Sequence, residues 1–205
     1  MFFNPGYKRV LKLLRETQKK HLNYSFKPNT IIVTWFFLGL FPIAPGTIAS
    51  LSVYPIYNFL IISSTSYEKI ALGFFVLSLI FLSLGWFSIS RFQAQTLIHD
   101  HQSIVIDEVV GQLLTFAISC KSLLKLGVAL SPYFPYHDAT TLAFFIGVIF
   151  FRFFDIKKPF FLKTIDKHMK GAFAVILDDV LAAIFAGVTI TIIYQIYDHF
   201  FQYYI

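Results

Sequence analysis

The chain has 205 residues, 57% of them hydrophobic and only 14% charged, with a mean hydropathy of +0.68; this excludes an ordinary soluble domain and suits one bundle of about five membrane spans at roughly 20 residues each. The formal charge is +6, but the basic residues flank apolar runs and form no stripe with stacking aromatics, which excludes a nucleic-acid-binding module. The single cysteine, Cys120, excludes an internal disulfide framework, and no Cys/His metal spacing is present.

Residues 1–29 form a basic segment. Lys8, Arg9, Lys12, Arg15, Lys19, Lys20 and Lys27 stand against one acid, Glu16, with Val10, Leu11, Leu13 and Leu14 among them. Two readings stand: a short helix lying on an anionic leaflet, and a plain cytoplasmic topology signal. No Ala-x-Ala site follows, so the segment is not read as a cleavable signal peptide. Residues 30–205 read as one transmembrane domain of all-α class with about four to five spans.

The stretch 30–62 is apolar but broken at Phe41-Pro-Ile-Ala-Pro-Gly-Thr47. Its eleven residues before the break are too few to cross about 30 Å at 1.5 Å per residue. A re-entrant half-helix is expected there, followed by a span over about 48–62. Irregular backbone at membrane depth is tolerated only against protein or a water-filled cavity, which points this loop at a site or a helix interface.

Further spans are expected over 69–90, 104–120, 139–154 and 172–197. Between them lie a polar loop from Arg91 to Gln102 containing His99-Asp-His101, and a loop over 121–138 with Pro132, Pro135 and a short interfacial helix. A basic loop follows from Asp155 to Gly171, with Lys157, Lys158, Lys163, Lys167 and Lys170. Tyr194, Tyr197, Tyr203 and Tyr204 suit an interfacial belt. The positive-inside rule makes the amino end and the 91–103 and 155–171 loops cytoplasmic. No internal repeat supports an inverted-repeat transporter.

Acids interrupt two of the apolar runs. Asp107-Glu108 fall within Ile104 to Gly111, and Asp178-Asp179 within Ala172 to Ala183. A charge at a bilayer centre costs about 3 kcal/mol on insertion scales. The topology moves these acids toward the cytoplasmic ends of their helices, where Asp155 ends a third span and Asp100 and Asp166 occupy adjoining loops. The helix macrodipole favours an acid near a helix start by about 0.3–1 kcal/mol, which accounts for one acid and not for four.

Clustered carboxylates without thiols or a histidine set favour a hard cation, Mg2+ above all. Arg152 and Lys158 either bind a phosphate or neutralise the acids, and Lys158 also has a snorkelling role open to it. Gly46 and Thr47, after Pro45, either cradle an anion with helix-start amides and the Thr47 hydroxyl or form a plain turn with Thr47 as an N-cap. Carboxylate-held metal beside basic and amide groups is the equipment of phosphoryl chemistry. Cys120 reads as core, and His99 and His101 as solvated loop residues.

Three blocks resemble the bacterial phosphatidylglycerophosphatase A family. Phe41-Pro-Ile-Ala-Pro-Gly-Thr-Ile-Ala-Ser50 is similar to its Pro-x-x-Pro-Gly-Thr-x-Gly-Ser. His99-Asp-His-Gln-Ser-Ile-Val-Ile-Asp-Glu-Val-Val-Gly111 is similar to its Asp-x-x-x-Ile-Val-x-Asp-Glu-x-x-Gly. Phe151-Arg-Phe-Phe-Asp-Ile-Lys-Lys-Pro159, with Asp166 and Leu177-Asp-Asp-Val180, is similar to its Phe-Arg-x-x-Asp-x-x-Lys-Pro and later Asp-Asp. Ala49, Ala172, Ala174 and Ala183 stand where that family has glycine, and Phe161 where it has a second proline.

The resemblance implies an inner-membrane, Mg2+-dependent phosphatase that converts phosphatidylglycerophosphate to phosphatidylglycerol. On that expectation Asp107, Glu108, Asp178 and Asp179 hold or orient Mg2+, with Asp155 beside them. Lys158, Arg152, Thr47 and Gly46 bind the phosphate, Asp100 serves as base, and water attacks in line. Membrane phospholipid is the expected partner, and nucleic acid is not. Two other classes remain open at this point: a small cation transporter using the same acids, and a non-catalytic membrane scaffold. The outer halves of the spans carry no comparable acids, which counts against transport.

Overall fold

The computed structural model describes residues 27–96, 101–157 and 171–204. The basic segment up to residue 26, His99, Asp100, Lys158, Phe161 and Asp166 lie outside the described residues, and so do the readings that rest on them. Among the described residues, seven α-helices run in chain order: α1 Pro28–Val33, α2 Pro45–Ser52, α3 Tyr54–Ser63, α4 Tyr67–Thr96, α5 Ile106–Leu130, α6 Ala139–Lys157 and α7 Ala172–Tyr204. No strand occurs among the described residues. Among the described residues, five helical stretches are long and apolar enough to cross a membrane, the first being α2 and α3 taken together as Pro45–Ser63.

Helix α5 is the axis of the bundle. It packs against α7, α4, α6 and α2, and its buried face continues from Val109 and Leu113 through Phe116 and Cys120 to Leu124. Tyr57, Phe74, Phe116 and Phe144 meet as an aromatic cluster with ring centroids 4.9 to 5.7 Å apart. Tyr57 donates its hydroxyl to the Thr140 carbonyl at 3.0 Å, so its polar tip is satisfied where the ring is buried. Leucines, isoleucines and phenylalanines such as Leu79, Phe145, Ile149 and Ile193 point outward, as a bundle solvated by lipid requires.

Three spans are longer than the sequence reading placed them. Helix α4 reaches Thr96, α7 reaches Tyr204, and α5 runs to Leu130 where a loop was expected from 121. The cause in α5 is that Leu123, Leu124, Leu126 and Gly127 keep to the buried face. Lys121 is exposed, and Lys125 lies 5.5 Å from the centre of the Tyr194 ring. The interfacial turn is the three-residue 3-10 segment Ser131–Tyr133.

The break in the first apolar stretch begins earlier than expected, and residues 41–44 remain non-helical within it. Trp35, Phe36 and Phe37 take the left-handed conformation with φ of 45°, 55° and 69°, and Ala44 follows with φ of 47°. Bulky residues in that region are strained. The turn is held by the Trp35 indole, which donates to Ser52 Oγ at 2.7 Å, and by Thr34 Oγ1, which accepts the Phe37 amide at 3.1 Å. Val105 N donates to the Val33 carbonyl at 3.0 Å, tying this turn to the start of α5.

Asp138 starts α6. Its carbonyl accepts the Leu142 amide at 3.1 Å, and its carboxylate accepts the Thr141 amide at 3.1 Å and the Thr140 hydroxyl. Those bonds hold the Asp138 carboxyl below its usual range, at about 2. The ionised cap therefore stabilises α6 fully above pH ~4, the ordinary carboxylate range, and loses that effect as pH falls toward 2. Asp138→Ala is expected to destabilise the bundle by about 1 kcal/mol at neutral pH. Thermal melts in detergent should show the deficit at pH 7 and show it shrinking as pH approaches 2; equal melting temperatures at pH 7 would refute the cap.

Candidate active site

Two acids come from the first turn of α5. Asp107 and Glu108 follow the N-cap Val105, which offers no side-chain cap. A third, Asp179, comes from the second turn of α7. One carboxylate oxygen from each of Asp107, Glu108 and Asp179 lies within 4.8 Å of the others. Asp107 and Asp179 are only 7% and 5% exposed.

The convergence depends on Gly111. A Cβ built there would stand 3.0 Å from the Asp179 carbonyl oxygen and 2.5 Å from the Phe151 ring. The missing side chain lets α7 and α6 close on α5 one turn beyond Asp107, and so sets which face of α7 meets α5. That phase brings in Asp179. Asp178, about 100° away around the helix, is outside the three-oxygen group, and it has interactions of its own.

Arg152 of α6 links two of the acids. Its Nη1 is 2.5 Å from Asp155 Oδ2 and 3.8 Å from Glu108 Oε1. Asp155 thus sits behind the guanidinium and not within the three-oxygen group. The amino end of α2 abuts the same two side chains, Glu108 and Arg152. A Cβ on Gly46 would overlap Glu108 Oε1 and stand 2.9 Å from Arg152 Nη1. First-turn amides have no intrahelical acceptor, so those of Gly46 and Thr47 are available beside these charges. The N-cap of α2 is Ala44; the reading of Thr47 as an N-cap is corrected, because Pro45 supplies the first helical residue and puts Thr47 inside the helix.

Several buried polar atoms on these four helices have no hydrogen-bond partner: Asp107 Oδ1, Glu108 Oε2, Asp179 Oδ2, Ser50 Oγ, Arg152 Nε and both side-chain polar atoms of Gln112. A buried polar group left unsatisfied costs about 1–3 kcal/mol, and a charged one more. Four carboxylates also face one guanidinium among the described residues. Unpaired oxygen donors in charge excess fit a hard divalent cation, whose ligands are oxygens at about 2.1 Å for Mg2+. Ser50 and Gln112 were not singled out as site residues from the sequence. Their signal was spacing: Ser50 is four residues after Gly46, and Gln112 four after Glu108, each on the same helix face.

His101 accepts or donates a bond with Ser103 Oγ at 2.7 Å in the approach to α5. Cys120 is buried in the core, as expected. Ala49, Ala172 and Ala183 are buried, so their methyl groups are accommodated in the packing.

Residues 31–194 match the family model described as Phosphatidylglycerophosphatase A. A Haemophilus influenzae protein named Phosphatidylglycerophosphatase A is 34% identical over 163 residues, 80% of this chain and 86% of the relative. An Escherichia coli K12 protein of the same name is 25% identical over 178 residues, 87% of this chain and 90% of the relative. No solved structure matches the chain.

Proposed function

The chain belongs to the phosphatidylglycerophosphatase A family, and from that premise we propose that it hydrolyses the terminal phosphate of phosphatidylglycerophosphate with Mg2+ held by Asp107, Glu108 and Asp179. The observation that carries this reading is the meeting of three carboxylate oxygens from two helices within 4.8 Å, each residue keeping an unpartnered buried oxygen. When bound there, the ion supplies a Lewis acid that neutralises phosphoryl charge and lowers the pKa of water.

The residues divide the remaining work. Arg152, braced by Asp155, offers its unpartnered Nε to the phosphate, and the Gly46 and Thr47 amides donate beside it. Lys158, the residue after the last one of α6, adds a second cation. Asp100 accepts a proton from water as the water oxygen bonds to phosphorus. The bond from phosphorus to the glycerol oxygen breaks in line, and that oxygen takes a proton from solvent, to which Asp100 returns its own, giving phosphatidylglycerol and inorganic phosphate. Asp178 supports Asp179 from the adjoining helix face.

We place the site at the cytoplasmic leaflet of the inner membrane, where the basic segments would lie and where a lipid headgroup can reach the acids. Residues 30–205 form the catalytic domain, with 30–44 as its re-entrant segment and 1–29 as its basic cytoplasmic extension. Purified protein is expected to release phosphate from phosphatidylglycerophosphate with Mg2+, to lose at least about a hundredfold in rate in EDTA, and to recover when Mg2+ is restored. Full activity in EDTA after exhaustive dialysis would refute the metal assignment; no release under any metal condition would refute the reaction.

A further inference from the structure

A groove of about 630 Å³ runs along the outside of the bundle between α4, α5 and α7. Its wall includes Leu72 and Leu79 of α4, Leu114 and Ile118 of α5, and Val180 and Ile184 of α7. It opens toward the lipid, since Leu72 and Leu79 are 60% and 46% exposed. We propose that this groove holds one acyl chain of the phospholipid substrate, running from the carboxylate group toward the bilayer midplane. The identity of the headgroup rests on the phosphatase reading above; the seating of the chain does not.

Continuity is the first support. On α5, Asp107, Val110, Leu114 and Ile118 follow at spacings of three and four residues, so the acid and the groove share one helix face. On α7, Val180 is the residue after Asp179, and Ile184 lies one turn further. The near end of the groove therefore begins about one turn from the carboxylates.

Length is the second. From Asp107 to Ile118 the helix rises about 16 Å at 1.5 Å per residue. That is about half of a hydrocarbon core roughly 30 Å thick, the depth that a chain anchored in one leaflet can reach. The α4 wall from Leu82 back to Ala71 covers the same rise in the antiparallel direction.

Chemistry is the third. The one polar lining residue is Ser78, and its hydroxyl already donates to the Phe75 carbonyl at 2.7 Å. The groove thus offers nothing to water or an ion and everything to methylenes, each worth about 0.8 kcal/mol on burial. A chain seated here would hold its own headgroup over Asp107 and Asp179, so binding away from the reacting phosphorus would orient the reaction.

The test pairs labelling with a kinetic ratio. A phosphatidylglycerophosphate analogue carrying a photoactivatable diazirine in one acyl chain should, in mixed vesicles with the full chain, label peptides spanning 72–82 and 110–118. It should do so far above the outward face of α6 at Phe145 and Ile149, and unlabelled long-chain substrate should suppress it. Leu79→Trp and Leu72→Trp, on exposed positions that tolerate bulk, should lower the ratio of kcat/KM for long-chain over dihexanoyl substrate by about tenfold. Ile149→Trp should keep the parent's ratio. Uniform labelling around the bundle, or unchanged ratios in both groove variants, would overturn the proposal even if phosphate is released. Groove-specific labelling without any phosphate release would support the seat and overturn the phosphatase reading instead.

Discussion

Asp179→Asn is expected to lower phosphate release by a thousandfold or more while leaving the fold intact. The substitution keeps shape and removes one anionic donor from a group of three. Losing a single preorganised electrostatic group of this kind costs on the order of 10²–10³ in rate, and a ligand to the ion should stand at or beyond the upper end. Stability should move the other way in chelator. Three carboxylates, two of them buried and one partly so, crowd one another without a cation, and neutralising one removes that repulsion. The parent should therefore gain thermal stability from saturating Mg2+, by about 2.7 kcal/mol at a hundredfold excess over Kd. The variant should show little of that gain. Asp178→Asn should lose less than about tenfold in rate, because Asp178 lies outside the three-oxygen group. Parent-like turnover in Asp179→Asn would remove Asp179 from the site, and equal losses in both variants would deny the distinction between them.

That distinction shows where the sequence was legible and where it was not. Composition and hydropathy gave an all-α membrane bundle, because lipid permits few alternatives for a chain this apolar. The acids stood out for the same reason. Choosing between Asp178 and Asp179 needed the rotation of α7 about its own axis, and hydropathy is blind to it since the helix is apolar nearly all round. The rotation follows from a close approach at Gly111, whose missing side chain admits the Asp179 backbone.

The first apolar stretch showed only the later part of its break, for a different reason. Proline and glycine at 45 and 46 drew the break to 41–47, yet the backbone reverses at Trp35, Phe36 and Phe37, residues that local propensity would not choose for left-handed φ. Contacts made elsewhere hold that turn: the Trp35 indole to Ser52 and its edge-on packing on Phe81, 5.1 Å between ring centres. Gln112 was hidden because a glutamine on a helix face signals nothing until the face is known to be buried. Once α5 is seen to be the central helix, its two unpartnered polar atoms become informative.

Gly46→Ala should impair activity strongly and stability hardly at all. The added methyl would overlap Glu108 Oε1 and press on Arg152 Nη1 at 2.9 Å and Glu108 Cδ at 2.9 Å. These atoms are the far ends of flexible side chains, not backbone, so they can swing aside at small steric cost. Alanine is also favoured over glycine within a helix by about 1 kcal/mol, which offsets part of that cost. Melting temperature should consequently change by only a few degrees. The displaced atoms, however, are a carboxylate proposed to hold the metal and the guanidinium that links it to Asp155. A misplacement of about 1 Å at such a centre can cost 10²-fold in rate, so kcat/KM should fall by about that factor. The Mg2+ concentration for half-maximal activity should rise with it, because Glu108 is the group pushed away. If the methyl instead acted only by blocking an anion at the α2 amides, KM for the lipid would rise and the Mg2+ requirement would stay put. Parent-like turnover with a parent-like Mg2+ requirement would show that α2 does not press on the site at all.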